Sequence, residues 1–163
     1  MISREDVIEK FEYDKNTGNL IWKNSWRRAV KGEIAGYNAR GYRATKIDGK
    51  IYWIHRLVWL LHNGSLPSCG FVIDHINGKK SDNRIENLRA VTVKQNIENS
   101  GVSKNNKVGY KGVHVRNGKY FAQIKHNYKV YRLGAFDSAT EAFAAYEEAA
   151  SQMFTHYKRI GVA

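Results

Sequence analysis

Four polar residues between positions 74 and 96 could together hydrolyse a phosphodiester bond. They are Asp74, His75, Asn87 and Asn96. Such hydrolysis requires that a water molecule is deprotonated, that the growing negative charge is stabilised and that the leaving oxygen is neutralised. An imidazole with a pKa of ~6.5 can accept a proton at neutral pH, and a hard divalent cation can stabilise the phosphate and the leaving oxygen. Mg²⁺ prefers oxygen ligands and often takes only one or two from the protein, which a carboxylate and a carboxamide can supply.

The elements around these residues are predicted to be two strands, a polar loop between them and a helix. The apolar run 71–73 leads into Asp74 and His75. Because neighbouring residues of a strand point to opposite faces, one side chain can reach a metal while the other approaches the attacking water. The loop is rich in Asn, Asp, Gly and Ser, as is typical of a turn. Asn96 lies on the helix after the second strand, from which it can fold back over the hairpin.

Each of these residues also has an ordinary structural interpretation. Asp74 and His75 could form a solvated strand end, Asn87 could cap a turn, and Asn96 could lie on an exposed helical face. Only their joint occurrence favours the interpretation as a hydrolase over the structural one.

The charge of the chain indicates a polyanionic partner. Its 163 residues include 27 Lys and Arg against 15 Asp and Glu, a formal net charge of +12. Such an excess points first to nucleic acid, although charge alone does not separate DNA from RNA or from an anionic membrane surface. The chain has one cysteine, Cys69, which excludes an intramolecular disulfide and disfavours a cysteine-based zinc site. We expect a cytoplasmic protein, because neither a signal peptide nor an apolar run long enough for a membrane span is found.

The segment around these polar residues closely resembles phage-type HNH homing endonucleases. The resemblance covers roughly residues 52–100 and is carried by HRLVWLLHNG and by FVIDHINGKKSDNRIENLRAVTVKQNIENS. It implies that His75 activates water, that Asn87 braces the hairpin loop, and that Asp74 and Asn96 bind the metal. Many HNH proteins have histidine at the last of these positions. Asparagine there favours Mg²⁺ or Mn²⁺ over softer metals.

The pair His55-Arg56 precedes this motif. Arg56 either contacts a phosphate near the cleaved bond or helps to seat its helix against the hairpin, and the sequence leaves both possibilities open. We interpret His55 as a helix-seating residue.

Residues 110–163 form a second predicted module, after a linker at 101–109. Three short strand-like runs precede an alanine-rich helix, predicted over 138–156, whose Ser138 and Glu141 match a capping box. The module resembles the plant ethylene-response-factor (Apetala-type) DNA-binding domain through YKGVHVRNGKYFAQIK, LGAFDSATEAFAAYEEAA and the final IGV. That resemblance implies a three-stranded sheet in the major groove of DNA. Its candidate DNA contacts are Lys111, His114, Arg116, Gln123, Lys125 and Arg132.

The sequence thus predicts an α+β protein. Residues 1–100 form an HNH nuclease domain of the ββα-metal type, and residues 110–163 form a three-stranded antiparallel sheet packed on one helix. The predicted function is a metal-dependent, strand-nicking homing endonuclease that acts on double-stranded DNA. The alternative is a non-catalytic DNA-binding regulator with a retained nuclease fold, while an RNA-directed role is disfavoured because no aromatic RNP motif is present. We expect a monomer or weak dimer with no membrane association and no obligate protein partner.

Overall fold

The computed structural model describes residues 2–103 and 105–154, which divide into two compact units between Thr92 and Val93. The first unit contains ten elements: α1 (Arg4–Lys10), β1 (Phe11–Asp14), β2 (Asn19–Trp22), β3 (Tyr37–Ala39), β4 (Tyr42–Ile47), β5 (Lys50–Trp53), α2 (Ile54–Asn63), β6 (Phe71–His75), a 3₁₀ turn (Ile85–Asn87) and β7 (Leu88–Thr92). The second contains α3 (Val93–Glu98), β8 (Val113–Arg116), β9 (Lys119–His126), β10 (Lys129–Phe136) and α4 (Ala139–Met153).

Three small antiparallel sheets surround α2 in the first unit. They pair β1 with β2, order β3-β4-β5, and pair β6 with β7. The buried core joins the two helices to these sheets, with Val7 from α1, Phe11 and Leu20 from the first hairpin, Leu57 from α2 and Leu88 from β7. Because Leu88 belongs to this core, the hairpin that carries the candidate catalytic residues is anchored to α2.

Local sequence signals explain how the chain enters and leaves α2. Asp48 and Gly49 both have positive φ, 49° and 81°, and form the tight turn between β4 and β5 that an Asp-Gly pair predicts. The strand β5 leads directly into the helix. The helix ends at Gly64, which adopts the left-handed conformation and donates its N–H to the Leu60 carbonyl at 3.0 Å.

The second unit contains the predicted three-stranded antiparallel sheet, in the order β10-β9-β8, with α4 packed against it. Ala122 and Ile124 of β9 meet Phe143 and Tyr146 of α4 in a separate core. The Ser138 hydroxyl accepts a hydrogen bond from the Glu141 N–H at 3.2 Å and caps the helix. The helix ends at Met153, before the predicted residue 156.

The boundary between the units differs from the predicted one. It falls after Thr92, so α3 belongs to the second unit, whereas the sequence placed it within residues 1–100. The final Ile160-Gly161-Val162, which supported the resemblance to plant DNA-binding domains, lies outside the described residues. Over the described ranges, no helix is long and apolar enough to cross a membrane.

Candidate active site

His75 is the last residue of β6 and is held by a buried asparagine. The residue is 6% exposed, and its Nε2 lies 3.1 Å from Oδ1 of Asn83, which is 1% exposed. The Asn83 amide nitrogen donates to the Ser81 carbonyl at 3.3 Å, which orients its oxygen toward the imidazole. An acceptor at Nε2 selects the tautomer protonated there, so Nδ1 carries the lone pair. Nδ1 is therefore the atom of His75 that can accept a proton.

The environment of His75 favours the neutral imidazole. Burial lowers the pKa of His75, while the hydrogen bond to Asn83 and the negative charges of Asp74 and Asp82 oppose this shift. A neutral ring at neutral pH is the form that a general base requires.

Asn87 closes the loop between β6 and β7. Its side-chain nitrogen donates to the Asp82 carbonyl at 2.8 Å, and its side-chain oxygen accepts the N–H of Asn77 at 2.9 Å. Its own carbonyl accepts the N–H of Ile76 at 2.8 Å. Asn87 is itself buried. These bonds cross the loop at both ends and fix its shape.

A second set of bonds within the same loop is centred on Asp82. The Arg84 guanidinium binds its carboxylate through Nε at 2.8 Å and Nη2 at 2.7 Å, and Asn77 donates to it at 2.7 Å. Arg84 and Asn77 together hold the pKa of Asp82 at about 2. Asp82 therefore stays ionised and holds the loop that presents Asn83.

Asp74 lies opposite Arg89 in the register of β6 and β7. The Arg89 guanidinium donates to Oδ2 of Asp74 through Nε at 3.0 Å and Nη2 at 2.7 Å. A carboxylate oxygen is a hard donor of the kind that Mg²⁺ or Mn²⁺ prefers. No group of three or more His, Cys, Asp or Glu residues lies together over the described ranges. The residues here thus fit a hard cation bound by few protein oxygens.

Aromatic rings from the preceding sheet and helix enclose the His75 imidazole. The ring centroid of His55, in α2, lies 5.3 Å from that of His75 with an interplanar angle of 70°. Tyr42, in β4, lies 5.9 Å from His75 and 5.4 Å from His55. The Lys80 ammonium sits over the Tyr42 ring at 4.7 Å. A helix-seating residue predicted from the sequence is therefore in ring contact with the candidate base.

The other predicted residues of the nuclease site are placed as follows. Arg56 is exposed on α2, so it is available to a ligand. Asn96 is half-buried in α3, within the second unit, and its role as a metal ligand stays a prediction.

Five of the six predicted DNA contacts share one face of the sheet in the second unit. Along β9, Ala122 and Ile124 are buried against α4, so the alternating residues point away from the helix. The register pairs Gln123 with Arg132 across β9 and β10. The exposed residues of this outer face include His114, Arg116, Gln123, Lys125 and Arg132.

Lys111, the sixth predicted DNA contact, makes hydrogen bonds within the second unit. Its ammonium donates to the Glu98 carbonyl at 2.6 Å and also to the Ser100 carbonyl, and burial lowers its pKa to about 8. These bonds hold the Lys111 ammonium against backbone carbonyls of the second unit, and its role as a DNA contact stays a prediction.

The segment that carries this site is similar to known proteins. Residues 52–97 match the family described as HNH endonuclease. This range is well under half of the chain. The chain is 35% identical over 102 residues to an uncharacterized HNH endonuclease of Acanthamoeba polyphaga mimivirus, covering 61% of this chain and 26% of that relative. It is 38% identical over 95 residues to an SPbeta prophage-derived protein of Bacillus subtilis (strain 168) whose name contains the term HNH homing endonuclease, covering 57% and 54%.

A third relative, Protein 3.8 of Escherichia phage T7, is 39% identical over 59 residues, which is 36% of this chain and 48% of the relative. The chain thus spans about a quarter of the first relative and about half of the other two. No solved structure matches this chain significantly. The comparisons therefore show a likeness to HNH endonucleases over residues 52–97, while the type of module that follows from residue 110 stays a prediction.

Sequence reasoning missed the contacts that Asn83 and His55 make with His75. Asn83 is part of the motif that carried the resemblance, but its position alone does not reveal that its oxygen faces His75. His55 is separated from His75 by 20 positions, and only the packing of α2 against the hairpin brings the rings together. The available signal was the presence of His55 beside His75 among the three histidines of the matched segment.

Proposed function

We propose that this protein is a metal-dependent DNA endonuclease of the homing type that cuts one strand at each encounter. The observation that carries the proposal is the hydrogen bond between His75 Nε2 and Asn83 Oδ1. It lies in a hairpin that matches the HNH endonuclease family and leaves Nδ1 of a neutral imidazole as the proton acceptor.

In the proposed mechanism, His75 Nδ1 removes a proton from the water that attacks the phosphorus. Arg89 orients the Asp74 carboxylate, and Asn87 keeps the loop closed so that Asn83 holds the imidazole. A divalent cation, Mg²⁺ or Mn²⁺, would be held by Asp74 and Asn96 and would stabilise charge on the phosphate and the leaving oxygen. Arg56 is proposed to bind a phosphate near the cleaved bond.

Double-stranded DNA is the proposed substrate because the chain is strongly basic and the second unit presents an exposed polar and cationic face. From residue 104 onward, the sequence contains ten Lys and Arg and four Asp and Glu, which gives a net charge of +6. A tethered DNA-binding sheet would raise the local concentration of the nuclease at its site. One active site per chain favours nicking by a monomer or weak dimer.

A plasmid assay tests the proposal. Supercoiled DNA is incubated with the wild-type protein or with His75→Ala in the presence of Mg²⁺, Mn²⁺ or EDTA. We expect conversion to open circles by the wild type with either metal and none with EDTA. His75→Ala should lower the rate about 100- to 10,000-fold, because the proton acceptor is removed, while the Kd for DNA stays within about twofold of wild type. His62→Ala, an exposed histidine of α2, is the matched control and should cut at the wild-type rate.

Two further variants test the metal ligands. Asp74→Ala and Asn96→Ala should each raise the metal concentration needed for half-maximal cleavage. A wild-type protein that binds DNA but cuts with neither metal would contradict the proposal and favour the non-catalytic regulator.

A further inference from the structure

The turn between β9 and β10 holds a tyrosine at a position that favours glycine. Asn127 and Tyr128 form a two-residue turn between the paired residues His126 and Lys129, and their φ angles are 49° and 63°. A tight turn with both central residues in the left-handed region prefers the pair Asn-Gly. A bulky side chain in this region is an outlier that costs free energy. The formation of the hairpin therefore does not explain the tyrosine.

The other hairpin of the same sheet has glycine at the equivalent position. Asn117 and Gly118 connect β8 to β9, with φ angles of 50° and 74°. The two turns have similar backbones and differ in the residue at the second position. The Tyr128 side chain is also 94% exposed, so packing does not offset the strain of its backbone. Its ring projects into solvent, where a binding partner can reach it.

Tyr128 lies beside the proposed DNA-binding face of the sheet. It lines an open cleft together with Gln123, Lys125 and Val130. Gln123 and Lys125 are predicted DNA contacts of that face, and Val130, which is 51% exposed, pairs with Lys125 across the two strands. The apolar surface at the end of this hairpin is therefore continuous with the polar and cationic face.

The charges of the cleft favour a polyanion as the partner. Lys94 and Lys125 both line it, and the Lys94 ammonium contacts the side-chain oxygen of Asn127 in the turn. The acidic residue of the cleft, Glu98, has its Oε1 3.8 Å from Lys94 Nζ, so a cation offsets its charge. An exposed ring among lysines suits DNA, because its phosphates attract the cations while its bases and sugars offer apolar surfaces.

We propose that Tyr128 is a DNA contact, whose ring packs against the bases and sugars of the duplex that the outer face of the sheet binds. Local strain that folding does not require is typical of residues that bind a ligand. The contact carries no charge and adds to the phosphate contacts of neighbouring cations such as Lys125. This inference rests on the proposed DNA substrate.

Two substitutions of Tyr128 separate the ring from the turn. Tyr128→Gly should raise Tm, because glycine adopts the left-handed conformation without strain. It should nevertheless weaken DNA binding about 5- to 100-fold, since an aromatic contact to a base is lost. Tyr128→Phe keeps the ring and should bind DNA like the wild type. The Kd is measured in EDTA with labelled duplex fragments of the assay plasmid, so that cleavage does not contribute.

The salt dependence of binding distinguishes this contact from one with a phosphate. Tyr128→Gly should leave the slope of log K against log salt unchanged, because tyrosine carries no charge, whereas Lys125→Gln should make the slope shallower. Gly118→Tyr is the matched control for stability. A Cβ at Gly118 meets nothing within 4 Å, so this variant should lower Tm through the strain of its backbone.

Three results would overturn the inference. Wild-type affinity of Tyr128→Gly shows that the ring makes no contact with DNA. A lower Tm of Tyr128→Gly shows that the hairpin needs the tyrosine for its own stability. A wild-type dimer that dissociates in Tyr128→Gly, measured by sedimentation, identifies the cleft as an interface between two copies of this chain. In each case, nicking of the plasmid by the wild type with Mg²⁺ leaves the proposed function intact. A wild-type protein that does not bind DNA contradicts the proposed function, and the inference fails with it.

Discussion

At the scale of single residues, two asparagines of one loop have different tasks. Asn87 makes its side-chain bonds to backbone atoms of the loop, whereas Asn83 directs its oxygen to the His75 ring. Asn87 therefore acts on the shape of the loop, and Asn83 acts on the tautomer and orientation of His75, the proposed base. Both are buried, so each side chain must have its polar atoms satisfied for the hairpin to be stable.

Asn83→Ala should disturb catalysis more than binding. Without the acceptor, the His75 ring can populate the tautomer that has its proton on Nδ1, and we expect kcat to fall about 10- to 100-fold. The free energy of unfolding should fall by about 1–3 kcal/mol, because buried groups are left without partners. The ¹⁵N chemical shifts of the His75 ring in the metal-free protein report the tautomer.

The control for this variant is Asn63→Ala, because Asn63 is exposed and its side chain donates to the Trp59 carbonyl of its own helix at 3.1 Å. This variant should change neither the tautomer nor kcat. An unchanged ¹⁵N spectrum of His75 in Asn83→Ala would refute the assigned role.

At the scale of elements, the turn between β1 and β2 supports the loop that carries Asn83. Gly18 has a φ of +73°, and a Cβ at this position would lie 2.4 Å from the Asn83 carbonyl carbon and 2.3 Å from the Arg84 nitrogen. In the same hairpin, the Tyr13 hydroxyl accepts the N–H of Ile85 at 2.9 Å. The first hairpin thus touches the loop backbone on both sides of Arg84, and its close approach requires glycine.

Gly18→Ala should therefore affect both stability and cleavage. The left-handed conformation costs about 1–2 kcal/mol for alanine, and the steric overlap adds about 1–3 kcal/mol because two backbone segments must separate. The displaced Asn83 should lower kcat as well. Thermal unfolding and the plasmid assay measure the two effects.

Gly49→Ala is the matched control for the cost of placing alanine in the left-handed conformation. Its φ is +81°, and a Cβ there meets nothing within 4 Å. This variant should show only the smaller backbone destabilisation and keep full activity. Equal destabilisation of the two variants would show that the close approach at Gly18 has no energetic consequence.

At the scale of the whole molecule, the proposed base and the proposed DNA-binding face of the sheet lie in different units. The first unit holds His75, Asn83 and His55, and the second presents the outer face of β8, β9 and β10. Cations on an exposed sheet contribute to binding mainly through phosphates and the release of counterions. Their removal should therefore reduce affinity and salt dependence without changing the rate of the bound complex.

The double variant Lys125→Gln and Arg132→Gln tests this division. We expect the slope of log K against log salt to become shallower by about 0.9 for each phosphate that is no longer neutralised, with kcat at saturating protein unchanged. Lys107→Gln combined with Lys129→Gln removes the same charge from exposed positions outside that face, since Lys129 lies over the Tyr131 ring. If both double variants weaken binding equally, net charge and not this face determines affinity.

The sequence by itself determined the local structure and the class of chemistry. The cap at Ser138, the turn at Asp48 and Gly49 and the helix end at Gly64 were predictable, because each depends on interactions between residues a few positions apart. The residue types and spacing from Asp74 to Asn96 likewise indicated a hydrolase without any knowledge of the fold.

Only the tertiary structure decided which polar groups meet. The packing of α2 against the hairpin brings His55 into contact with His75. The fold of the polar loop turns the Asn83 oxygen toward the imidazole. The Lys111 ammonium binds backbone carbonyls at the end of α3 and just after it. Such contacts join positions that are distant in sequence or depend on the path of a loop. Burial then sets their energies, because an unpaired or charged group costs far more in the interior than in water.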